Sequence, residues 1–74
     1  MMGTYRCLRS WEEFIGVLRG VRIENGYLLL IFEVKLAIPD FDGDLLSDVK
    51  KMLGRKVAIL RTDSGEYRIR EVME

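Results

Sequence analysis

The chain contains no histidine and a single cysteine, Cys7, so neither a Ser-His-Asp nor a Cys-His arrangement can be assembled from it. Cys7 stands among Tyr5, Arg6, Leu8 and Arg9 and reads as a small apolar strand residue rather than a reactive thiol. Asp40, Asp42 and Asp44, with Asp48 beyond, alternate as carboxylates do in a calcium-binding loop. The register fails. With Asp40 as the first ligand, Leu45 falls where such a loop needs glycine and Lys51 where it needs a bidentate glutamate. The same acids suit the start of a helix, as cap and dipole partner. Glu12, Glu13, Glu66 and Glu71 offer carboxylates for acid–base work, yet no spacing brings two of them together, and solvated strand faces account for them. We therefore expect a non-enzymatic chain with no catalytic set, no metal and no cofactor.

Binding chemistry is the better lead. Arg55, Lys56, Arg61, Arg68 and Arg70 fall on the last two expected strands, with only Asp63 and Glu66 opposing them, and Arg19 and Arg22 fall on an earlier one. Single-stranded nucleic acid is held by a basic groove with exposed aromatics for stacking. Tyr27 and Tyr67 are the nearby aromatics, and alternation turns Tyr67 inward. The competing reading pairs these arginines with the chain's many acids, leaving a structural or adaptor module that acts by protein–protein assembly alone.

The elements that would position these groups follow from apolar periodicity. In Tyr27–Ile38 the even positions Leu28, Leu30, Phe32, Val34, Leu36 and Ile38 are all apolar and form one buried face. Twelve residues of strand span roughly 40 Å, whereas a compact domain of this length is only about 30 Å wide. The strand must bend, coil or leave the domain, and a bending strand points to a small barrel. Its odd face begins with Tyr27, Leu29 and Ile31, which either the helix or another subunit must cover; we expect self-association there. Asn25-Gly26 joins this strand to the one before it in a type I′ hairpin, Pro39 ends it, and Asp63-Ser64-Gly65 makes a second hairpin between Lys56–Thr62 and Glu66–Met73. Leu45, Leu46, Val49, Met52 and Leu53 mark a helix, capped by Asp42 or Asp44, with Lys50 and Lys51 in its last turn and Gly54 beyond. Trp11, Phe14, Ile15 and Leu18 have helical spacing too, so a helix over 11–19 is open. Gly16 and the β-branched Ile15 and Val17 favour a strand through Phe14–Glu24, bent at Gly16 and Gly20 and preceded by a short strand Thr4–Leu8.

Gly16, Leu18 and Gly20 resemble the Gly-x-Leu-x-Gly segment of Sm-like RNA-binding barrels, and Leu60-Arg61-Thr62-Asp63 is similar to that family's Ile-Arg-Gly-Asp run beside the RNA pocket. The departures are specific. Arg22, Asn25 and Gly26 stand where the family has Asp and Met-Asn, Thr62 replaces a glycine, and a helix stands where a loop is usual. That resemblance would carry RNA binding through Arg61. The order strand–strand–strand–helix–strand–strand also resembles the OB-fold, a five-stranded antiparallel Greek-key barrel with its helix between strands three and four. The first expectation is thus a mainly β, OB-like single domain over residues 1–74, and the second an Sm/SH3-like barrel.

Composition bounds the rest. Twelve basic and twelve acidic side chains give zero net charge, so no global field draws the protein to nucleic acid or an acidic membrane. No apolar window is long enough for a membrane span and no signal-peptide core is present; with one cysteine, a cytoplasmic setting is the default. Glutamine is absent and asparagine occurs once, while charged residues make up 32% of the chain. That is the composition associated with hyperthermophile proteins.

Overall fold

A computed structural model of the chain describes residues 5–39 and 41–73. Thr4, the expected start of the first strand, and Asp40, the first acid of the calcium-like run, lie outside them. Seven strands and one helix follow in the order β1 (Tyr5–Arg6), β2 (Glu13–Val17), β3 (Gly20–Glu24), β4 (Tyr27–Ile31), β5 (Lys35–Ile38), α1 (Gly43–Lys51), β6 (Lys56–Arg61) and β7 (Tyr67–Glu71). They form a four-stranded sheet, β1-β5-β4-β3, and a three-stranded sheet, β2-β6-β7. The expected five-stranded closed barrel does not form. The helix lies between the fifth and sixth strands, not between the third and fourth.

Both corrections have one cause: each long strand read from the sequence is two strands. Tyr27–Ile38 outruns the largest dimension of the molecule, 34 Å, and it solves the problem by folding back. The Phe32 N–H donates to the Val34 carbonyl at 2.8 Å, and β4 returns antiparallel as β5 with Ile31 opposite Lys35. The period-two face survives the reversal because the loop is three residues long. Leu28, Leu30, Phe32, Leu36 and Ile38 are all buried, and only Val34, at the tip, is exposed. Phe14–Glu24 divides at Leu18-Arg19. The Leu18 N–H donates to the Arg55 carbonyl in one sheet, and the next residue, Arg19, donates to the Ile31 carbonyl in the other. Leu18 itself is fully buried where the sheets meet. Residues 11–19 are not helical: Trp11 holds φ at 63° in a turn, and a strand follows.

The local chemistry explains the turns. Asn25 and Gly26 hold φ of 52° and 81°, the left-handed pair a type I′ hairpin requires, between paired Glu24 and Tyr27. At the second hairpin Gly65 holds φ at 89°, and the buried Thr62 hydroxyl accepts from the Glu66 N–H at 3.2 Å. Helix α1 starts where Asp42 accepts from the Leu45 N–H at 2.8 Å, and it carries Lys50 and Lys51 in its last turn. Gly54 follows with φ of 82° and donates to the Leu18 carbonyl, tying the helix exit to the corner between the sheets. Val49 is fully buried, with Leu45, Leu46 and Met52 packed against the same core as Leu18, Val57 and Ile59.

Candidate functional site

The expected basic residues separate into three environments. Arg61 turns away from solvent: its guanidinium donates to the Leu8 carbonyl at 2.7 Å, and its Nε is buried without a partner. Arg55 pairs with Glu71 at 2.9 Å. Lys56, Arg68 and Arg70 share the outer face of the three-stranded sheet, where strand alternation places Glu13, Ile15 and Val17 from β2 and Ala58 and Leu60 from β6. On that face Glu13 lies 4.0 Å from Arg70. Elsewhere Arg6 pairs with Glu12 and Arg22 with Glu24. Half of the eight arginines, Arg6, Arg22, Arg55 and Arg70, thus stand beside carboxylates. Neither expected aromatic shares the outer face with Arg68 and Arg70: Tyr67 packs against the core, and Tyr27 belongs to the other sheet.

The apolar content of this face is the more unusual feature. Ile15 and Val17 remain 48% and 47% exposed, side by side on an edge strand. Phe14, between Glu13 and Ile15, points inward and meets Phe32 edge to face with ring centres 4.8 Å apart. Gly16 also faces inward, where a Cβ would approach the Phe14 and Phe32 rings to 3.1 and 3.2 Å. A side chain at position 16 would need both rings to give by a few tenths of an ångström. Strand β2 therefore carries apolar residues on both faces, the inner one half-buried and the outer one open. The sequence carried that signal in Phe14–Leu18, but as an ambiguity between helix and strand rather than as a site.

The second expected surface, Tyr27, Leu29 and Ile31, has a different fate. Leu29 is 2% exposed and Ala37 beside it 5%, so the chain itself covers the middle of this row. Tyr5, on one edge of the four-stranded sheet, donates its hydroxyl to Glu24 on the other edge at 2.8 Å. The bridge crosses over β4 and β5. Lys35 completes it with its ammonium 5.9 Å from the Tyr5 ring centre. Tyr27 stays 43% exposed and Ile31 half-buried. A cleft of about 310 Å³ remains between Tyr5, Tyr27 and the Leu29–Ala37 floor.

Titration behaviour follows from these contacts. The bond to Glu24, with partial desolvation, raises the Tyr5 pKa above its ordinary value. Desolvation raises that of Tyr67, whose hydroxyl is buried without a partner. Glu12 is lowered, chiefly because its carboxylate accepts from the Arg9 N–H at 2.9 Å. Among the described residues no group of three or more acids, histidines or cysteines is arranged to hold a metal, and no helix is long and apolar enough to cross a membrane. The chain matches no family model, no curated protein and no solved structure.

Proposed function

We propose that the protein is a non-enzymatic structural module that works by assembling with copies of itself. The observation that carries this is the pair Ile15 and Val17, half exposed and adjacent on an edge strand of the three-stranded sheet. A core built from so short a chain gains stability from a partner that covers such residues. The arginine environments weigh in the same direction. Phosphate binding needs cations that are free to exchange counterions, whereas Arg6, Arg22, Arg55 and Arg70 sit with Glu12, Glu24, Glu71 and Glu13, and Arg61 serves a carbonyl.

Light scattering at micromolar concentration tests the reading, with an expected mass at least twice the 8.6 kDa of one chain. Labelled single-stranded RNA and DNA, titrated at low salt, should show no binding at tens of micromolar. Salt-sensitive binding that Arg68→Ala and Arg70→Ala abolish, on a protein that stays monomeric, would replace self-assembly with the nucleic-acid reading.

A further inference from the structure

Strand β7 ends the three-stranded sheet, and no described strand covers its outer edge. In its ladder with β6 the Thr62 N–H donates to the Glu66 carbonyl and the Val72 N–H to the Lys56 carbonyl, so the even-numbered residues of β7 face β6. The N–H and C=O groups of Tyr67, Ile69 and Glu71 therefore point to the free side, and no described backbone group pairs with them there. Such a row is a template for another strand. A groove of about 370 Å³ runs beside it, with Tyr67 and Arg68 on one wall and Phe41 and Leu45, at the start of α1, on the other. Arg68 and Arg70 are both exposed. Arg68 holds no side-chain ion pair among the described residues, and Glu13 stands 4.0 Å from Arg70.

We infer that this edge takes up an extended peptide segment of another protein, in which acidic residues alternate with apolar ones. The backbone of the segment bonds to Tyr67, Ile69 and Glu71, and the side chains follow from strand alternation. Residues opposite Arg68 and Arg70 project from the outer face at non-bonded positions, where facing side chains come closest, so a carboxylate there meets a guanidinium. Residues opposite Tyr67 and Ile69 project to the other face, toward the groove and its Phe41 and Leu45 wall. Asp42 and Glu66 also line that groove, so a carboxylate is disfavoured at these inner positions. A uniformly acidic segment is therefore a poor fit, and so is a uniformly apolar one. A second copy's β7 is refused as well, because pairing centred anywhere from Arg68 to Arg70 sets arginine against arginine. The same two arginines that deter indiscriminate edge pairing thus choose the partner. This surface is separate from Ile15 and Val17, and the inference does not depend on self-assembly.

The probe is the peptide acetyl-Thr-Val-Glu-Val-Glu-Val-Thr-amide, whose alternation reads the same in either direction. It is titrated into the full chain in reductant, which keeps the exposed Cys7 from forming an adventitious disulfide. Amide hydrogen exchange followed by NMR locates the contact. At saturation the Tyr67 and Ile69 amides should exchange at least about tenfold more slowly, while those of Arg68 and Arg70, already bonded to β6, and of Ile15 and Val17 keep their rates. The peptide with lysine in place of both glutamates should bind at least about tenfold more weakly, and Arg68→Glu/Arg70→Glu, its fold confirmed by circular dichroism, should reverse that preference. No binding at hundreds of micromolar overturns the inference. So does binding that leaves the Tyr67 and Ile69 amides exchanging as in the free chain, or that is equal for the two peptides. None of these results bears on self-assembly, which the mass measurement reads separately.

Discussion

Leu18 offers the sharpest test of how the two sheets are joined. Its side chain is fully buried and belongs to the core cluster that holds Leu28, Leu30, Ile59 and Val49. Its backbone is clamped from both sides, by Arg55 through the N–H and by Gly54 through the carbonyl. The backbone therefore has little freedom to collapse into a vacated volume, and Leu18→Ala should cost near the upper part of the usual 2.7–5.0 kcal/mol range, about 4 kcal/mol. A domain of 74 residues is worth roughly 4–11 kcal/mol in total at 0.05–0.15 kcal/mol per residue. At about 4–8 °C per kcal/mol the loss corresponds to a fall in Tm of roughly 15–30 °C. Thermal unfolding followed by circular dichroism reads it directly, with Arg19→Ala, one residue along and exposed, as the neighbour that should stay within about 0.5 kcal/mol. A Tm fall under about 5 °C at Leu18, or equal falls at both positions, would refute the picture of a single strand turning a packed corner.

Tyr67→Phe should leave the Tm unchanged or raise it, because the hydroxyl it removes is buried without a partner. Stability should decline as pH rises past 10.0, since Tyr5 and Tyr67 titrate above that value when folded and the unfolded chain ionises first; urea midpoints between pH 9 and 11 would show it, and Tyr5→Phe should shrink the decline. Glu12 acts in the opposite sense: its lowered pKa gives stability present above pH 4.5 and lost as pH falls below it, a loss that Glu12→Gln should diminish. Gly26→Ala should cost about 1 kcal/mol by chemical denaturation, because alanine must adopt a φ of 81° there.

The local chemistry of this chain was more legible than its topology. The Asn25-Gly26 hairpin, the Asp42 cap, the Val49 face of the helix and the inward even positions of Tyr27–Ile38 other than Val34 all rest on short-range rules, and each is present. The reversal at Phe32–Val34 was not legible, since Phe32, Glu33 and Val34 carry no glycine, proline or asparagine to announce a turn. Only the excess length of the strand betrayed it, and that excess was equally compatible with a bend. Missing that turn, and the change of sheet at Leu18-Arg19, converted seven strands into five and produced the barrel expectation. Leu29 was readable as apolar, but not as covered, because the Tyr5–Glu24 bridge over it joins residues 19 apart in the chain.

A comparison of the sheet edges shows why β2 stands apart. Natural sheets protect their edges by keeping strands short, by charging them or by covering them. Strand β1 has two residues. Strand β3 exposes Ile23, and the Arg22–Glu24 ion pair lies on its other face. Strand β7 alternates Arg68 and Arg70 with core residues, so its outward side chains are cationic. In β2 the side chains flanking the open backbone groups are Ile15 and Val17, with Glu13 at one end and no charge between them. A strand added there gains backbone bonds and apolar cover together, whereas one added to β7 would bring Arg68 and Arg70 against its own outward side chains. Strands β2 and β3 thus both leave β-branched side chains open on an edge, and β2 leaves two of them, Ile15 and Val17.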